Sequence, residues 1–166
     1  MLPAYLPNPV AALSGGGTPV DLGRKMGDGK RILGDGKTYR GLCIGILAGL
    51  IIGLVEMHCS AASQLTWLPA QTAASVIALS VGALLGDMAK SFFKRRLGKE
   101  RGENWFLADQ YDLVAGSLVL LLIISPAWFF ANITPVIFIA ILVLTPILHR
   151  LANIIGYSIG VKDVPW

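Results

Sequence analysis

Apolar residues run along this chain in long unbroken stretches, and the segments between them collect nearly all the charge. Residues 42–59, 67–85, 113–131 and 133–148 are such stretches, the last reaching membrane length once 151–155 is added. A hydrocarbon core takes roughly 20 helical residues to cross, so each stretch predicts a transmembrane helix. The apolar segment 2–13 is shorter and holds Pro3, Pro7, Asn8 and Pro9. At about 1.5 Å per residue it covers part of the bilayer only, and predicts a fifth, broken or half-length span. It lacks a charged start and an Ala-x-Ala exit, so it does not read as a secretory signal. The pattern predicts an all-α polytopic membrane protein of one domain, 1–166. Its five spans are expected near 2–14, 41–59, 67–86, 112–131 and 133–155, with two functional cytoplasmic loops at 15–40 and 87–111.

Composition agrees. Charged residues make up 14% of the chain, against about 25% in soluble domains, and mean hydropathy is +0.65. The position of the charge adds orientation. Arg24, Lys25, Lys30, Arg31, Lys37 and Arg40 fall between the first and second spans. Lys90, Lys94, Arg95, Arg96, Lys99 and Arg101 fall between the third and fourth, and Arg150 and Lys162 follow the fifth. Segments 56–66 and 131–134 contain no Lys or Arg. Positive charge marks the cytoplasmic side, so the N-terminus is expected outside and the C-terminus inside, which needs an odd number of spans. Cys43 and Cys59 lie on one predicted helix about 24 Å apart, too far to pair, and are expected to be buried small apolar residues. His149-Arg150 marks the inner end of the last span and is read as an interface anchor.

The second loop carries the chemistry. Asp87, Lys90 or Ser91, and Lys94 are at helical spacing and share a face if the third span continues as a helix. Asp109 and Asp112 share a face at the start of the fourth. Ionisable groups at span ends are costly and are functional candidates. The inner ends of two neighbouring helices would gather these three carboxylates, which repel unless a cation lies between them. Mg²⁺ takes a few carboxylates and completes its shell with water and substrate phosphate. Snorkelling accounts for the lysines and arginines but not for Asp87, Asp109 and Asp112.

In the first loop Gly-Asp-Gly-Lys occurs twice, at 27–30 and 34–37. The second copy ends in Gly-Lys-Thr like a phosphate loop, but Arg31 stands where that motif needs glycine. The loop therefore reads either as a flexible basic connector or as a backbone nest for phosphate, with Lys25, Lys37 and Arg40 as charge partners. Beyond it, Gly41, Gly45, Gly49 and Gly53 recur every fourth residue and make one smooth ridge. Such a ridge lets another helix approach closely, either within the chain or from a second copy, which leaves a homodimer open.

Gly86-Asp87-x-x-x-Ser91-x-x-Lys94-Arg95, a Gly-containing turn, then Asp109-Gln110-Tyr111-Asp112 resembles the signature of the CDP-diacylglycerol synthase superfamily. Bacterial members usually carry Arg where Gln110 stands. Asn8-Pro9, the run from Gly15 to Asp21, and the Gly-Asp-Gly-Lys-Thr-Tyr-Arg-Gly run at 34–41 are similar to the small archaeal branch, CDP-archaeol synthase. The resemblance covers nearly the whole chain. It implies Mg²⁺-dependent cytidylyl transfer from CTP to an unsaturated archaetidic acid, an isoprenoid ether lipid phosphate, with pyrophosphate released. On that reading Asp87, Asp109 and Asp112 hold the metal, and Lys90, Lys94 and Arg95 stabilise phosphate. Asp21, Lys25, Asp35, Lys37 and Arg40 would wall the other side, with Asn8 and Gln110 toward the nucleotide. No nucleic acid is expected as a partner.

Two rivals remain. A small membrane transporter with a cytoplasmic phosphate or metal site also fits intramembrane charge and broken helices, although no charge marks an outer gate. A CDP-alcohol phosphotransferase would need Asp-Gly-x-x-Ala-Arg, which is absent.

Overall fold

The structure, a computed structural model, describes residues 1–63, 69–100 and 103–161, without the side chain of Ser63. Trp67, Arg101 and Lys162, which entered the span and charge assignments, lie outside the described residues. The described residues form seven helices: α1 (Leu2–Tyr5), α2 (Pro7–Leu13), α3 (Tyr39–Ser63), α4 (Ala73–Arg96), α5 (Phe106–Ile124), α6 (Pro126–Asn132) and α7 (Pro135–Ser158). Four of them, α3, α4, α5 and α7, are long and apolar enough to cross a bilayer.

Local chemistry sets the boundaries. Pro7 opens α2 at its first turn, where a missing N–H costs nothing, so the N-terminal apolar segment is two short helices in succession, the broken form expected of it. Thr38 Oγ1 accepts the Gly41 N–H at the start of α3. Thr72 and Ser75 form a reciprocal capping box on α4. Pro126 ends α5 by restricting Ser125 before it, so the expected span 112–131 is divided at Ser125. Pro146 lies inside α7, which continues past Arg150 to Ser158. Likewise α4 runs on to Arg96 and α5 begins at Phe106, so both ends of the segment read as loop 87–111 are helical.

The core lies between α4 and α5, with α1 beneath them. Ala78, Leu79, Ala83, Leu113, Val114, Leu118 and Leu121 pack there with Ala4 and Ile141. Glycine brings the two backbones together: a Cβ on Gly82 would lie 2.7 Å from the Gly116 carbonyl oxygen, and one on Gly86 would collide with that of Asp112. Ser117 Oγ donates to the Leu79 carbonyl at 2.9 Å across the same seam. The Gly45 and Gly49 ridge of α3 is used within the chain, against the carbonyls of Pro7 and Pro3. Tyr5 and Thr145 hydroxyls meet at 2.8 Å and tie α1 to α7, and Tyr111 Oη donates to the Leu142 carbonyl at 2.9 Å. Cys43 and Cys59 are free and exposed, contrary to the expected burial.

The first loop folds over the C-terminal end of α4. Its centre is Asp21, whose fully buried carboxylate accepts from Arg31 Nη2 at 2.6 Å and from the backbone N–H groups of Leu33 and Gly34, both at 2.9 Å. Arg31, these backbone donors and that of Gly23 together hold the Asp21 carboxyl well below the usual carboxylate range against the opposing effect of burial. Leu22, next in sequence, adopts φ +50°, a left-handed strain fixed by the surrounding bonds. Arg96 reaches Asp28 at 2.8 Å, and Lys30 Nζ donates to the Arg96 carbonyl at 3.3 Å.

Candidate active site

Asp87 sits nine residues before the end of α4 and Asp112 six after the start of α5, so about 14 Å and 9 Å inside the helix ends. The glycine seam brings these two turns into backbone contact. Between them Lys90 Nζ lies 2.6 Å from Asp112 Oδ2, 3.1 Å from Asp87 Oδ1 and 3.2 Å from Asp109 Oδ1. Lys37, arriving from the first loop, pairs with the other Asp87 oxygen. Lys94 donates to both Asp109 oxygens at 3.0 Å. Three carboxylates and three ammonium groups thus form one largely buried, charge-balanced cluster. Burial without counterions would cost several kcal/mol per ion, so the pairing is a condition of the fold.

The three carboxylates that the sequence pointed to do converge, but on Lys90. Among the described residues no three acidic, histidine or cysteine side chains converge by themselves as a metal cage. Asp109 is engaged by Lys94 and by the Trp105 N–H at 2.7 Å, and so organises the start of α5. Asp87 and Asp112 carry mainly lysine counterions. Magnesium needs only one or two carboxylates when water and substrate phosphate fill its shell, and these two fit that smaller donor set.

A cavity of about 490 Å³ opens from the cluster between α1, α2, α5 and α7. Lys37, Asp87, Lys90 and Asp112 are its charged lining, and Leu2, Leu6 and Leu148 are part of its apolar lining. Asn8 lines it, and among the described residues its buried Oδ1 has no hydrogen-bond partner. His149 and the buried Asn153, 3.3 Å apart, form another part of the wall. The sequence reading gave neither His149 nor Asn153 a place in this wall. Thr145, His149 and Asn153 recur every fourth residue on α7, a polar stripe that could have signalled an inward face.

The other expected residues are dispersed. Asp21 organises the loop. Asp35 pairs with Arg31 at 2.7 Å and is largely exposed. Lys25 is exposed. Arg40 donates to the Ser14 carbonyl at 2.8 Å and to that of Gly15, closing the mouth of the loop. Arg95 lies against Gly34, whose φ of +93° suits glycine, and donates to the Lys99 carbonyl. Gln110 is half-buried on α5 beside Asp109.

Comparison with known proteins bears on what such a cluster does. A family model described as CarS-like, CDP-archaeol synthase, matches residues 1–166. The CDP-archaeol synthase of Methanosphaerula palustris is 65% identical over 167 residues, covering 100% of both chains. That of Methanoculleus marisnigri is 61% identical over 166 residues, again covering 100% of both. A solved structure of an intramembrane enzyme for archaeal membrane lipids biosynthesis superposes with a TM-score of 0.75 at 41% identity, covering 93% of this chain and 90% of the other. With the four long apolar helices, this makes the chain a multi-pass membrane protein. The transporter alternative finds no support in these relatives.

Proposed function

The chain belongs to the CDP-archaeol synthase family, and from that premise we propose that it transfers the cytidylyl group of CTP to an unsaturated archaetidic acid. An oxygen of the lipid phosphate forms a bond to the α-phosphorus of CTP. The bond from that phosphorus to the oxygen bridging to the β-phosphate breaks, and pyrophosphate leaves with the electron pair. The products are CDP-archaeol and pyrophosphate. Phosphate supplies its own nucleophile, so the protein's task is positioning and charge stabilisation.

The observation that carries this reading is the charge-balanced cluster that lines one cavity together with apolar side chains. Lys37, Lys90 and Lys94 are held by carboxylates and would stabilise phosphate oxygens, with Arg95 at the loop side. Asp109 keeps Lys90 and Lys94 in place. Asn8 offers its Oδ1 to a donor on the nucleotide, and Gln110 lies beside the cluster. Asp87 and Asp112 would hold Mg²⁺, with Asp109 close by; bound magnesium neutralises negative charge developing on the phosphates. The first loop, folded by Asp21, Arg31 and Asp35, carries Lys37 to the site, while Lys25 and Arg40 add positive charge at its cytoplasmic approach. We place the N-terminus outside and the active site cytoplasmic.

The test is pyrophosphate release by purified protein in detergent, with Mg²⁺, synthetic archaetidic acid, and CTP, ATP, GTP or UTP in turn. Release is expected only when lipid and CTP are both present. Release without lipid, or none with any nucleotide from folded protein, would overturn the reading.

A further inference from the structure

A second concavity shares the Lys90–Asp112 ion pair with the first. It is an open groove of about 520 Å³ between α4 and α5. Lys90 and Asp112 are its charged residues, and both also line the cavity described above. The pair is therefore shared between a cavity of mixed charged and apolar lining and a furrow whose lining is otherwise apolar.

The furrow is shaped as well as apolar. Ala89, Ala108 and Ala115 make a shallow floor, and Phe93 and Trp105 stand at its inner end. Phe93 and Val119 are 56% and 59% exposed. Tyr111, on its wall, turns its hydroxyl away to the Leu142 carbonyl. From Trp105 to Leu120 it follows α5 for about 22 Å. An ordinary lipid-facing surface needs neither a furrow nor an ion pair at its head, since charge facing hydrocarbon is costly. A ligand with a long apolar chain and an anionic head explains both features: the chain fills the furrow and the head meets Lys90.

We infer that this α4–α5 groove holds an isoprenoid chain of the lipid phosphate, whose headgroup reaches the nucleotide across Lys90. The inference rests on the proposed function for the identity of the lipid and goes beyond it in assigning separate entries: nucleotide through the cavity under the first loop, lipid sideways from the bilayer. Lys90 then touches both substrates.

Photo-crosslinking tests binding without turnover. The full chain, in nanodiscs, would carry p-benzoylphenylalanine at Val119 or, separately, at Leu148 in the cavity, with radiolabelled di-geranylgeranylglyceryl phosphate as probe. Labelling is expected at Val119, competed by unlabelled lipid phosphate and not by the neutral diether with the same chains. Labelling at Leu148 instead, or equal competition by the neutral diether, would overturn the assignment, the latter leaving only a bilayer-facing furrow. As a second measurement, Ala115→Phe fills an exposed floor position. It is expected to raise KM for the lipid at least about tenfold with kcat little changed, the mark of lost ground-state binding, while the Kd for CTP stays as it was. An unchanged lipid KM would sink the groove. Absence of pyrophosphate release by the wild type would end the functional reading alone, because the crosslink still reports where the lipid phosphate sits.

Discussion

Three carboxylates and three lysines meet where α4 and α5 adjoin the first loop, and removing one member unbalances the charge of the cluster. Asp112 lines both concavities and contacts Lys90 at 2.6 Å. Asp112→Asn keeps the shape and removes the charge, so turnover should vanish while the protein still elutes as a folded species in size-exclusion chromatography. Wild-type activity in that variant would take Asp112 out of the machinery. Lys37 is the loop's contribution, and a charge-assisted bond is worth about 1.5–3 kcal/mol. Lys37→Ala should therefore weaken CTP binding by roughly 10- to 100-fold in calorimetry, and unchanged affinity would reduce Lys37 to a counterion of Asp87. Most of the cluster was legible as residues: Asp87, Lys90 and Lys94 follow helical spacing, and Asp109 and Asp112 do so on the next helix. That Lys90 would stand among all three carboxylates was not legible, since spacing along one helix gives no distance to another.

Among the elements, α4 and α5 hold the site because small residues let their backbones touch. A methyl group on Gly86 would meet the Asp112 carbonyl and push that turn of α5 away. Gly86→Ala should cost about 2 kcal/mol of stability, as overpacking does, and lower kcat disproportionately; full activity at normal stability would mean the seam does not set the geometry. The first loop depends on Asp21 in another way. Its carboxyl is held below the usual range by Arg31 and backbone N–H groups, so the folded group titrates below the unfolded one. Its contribution is complete above about pH 4 and is lost as pH falls toward the lower folded value. Protease resistance of the loop should accordingly persist down to about pH 4 and fail under stronger acid, whereas Asp21→Asn should weaken it even at neutral pH. A wild-type loop that opened well above that range would contradict the assignment. The sequence pointed to Asp21 as a site wall; the loop's fold makes it the organiser of the segment that delivers Lys37.

For the whole molecule, the cation distribution argues that the loop carrying Lys37 faces the cytoplasm. In a background without Cys43 and Cys59, a cysteine at exposed Met26 should react with an impermeant maleimide in inverted vesicles only. One at Gln71, before the outer end of α4, should react in right-side-out vesicles only. The opposite pattern would invert the topology. The glycine ridge of α3 packs on α1, α2 and α4 within the chain, so it gives no reason for a second copy.

Hydropathy, charge placement and motif order determined the all-helical membrane class, the two basic segments and the identity of the central acids and lysines, because these properties follow from single residues and from periodicity along one helix. The break of the N-terminal segment was foreshadowed by its prolines for the same local reason. Tertiary structure decided what lies across from what. It turned His149 and Asn153 inward, engaged Asp21, Asp35 and Arg40 in the loop's own folding, left Cys43 and Cys59 exposed, and set Lys90 between two concavities. Those outcomes depend on how closely non-adjacent helices approach, a distance fixed by packing at glycine seams and written in no one segment of the chain.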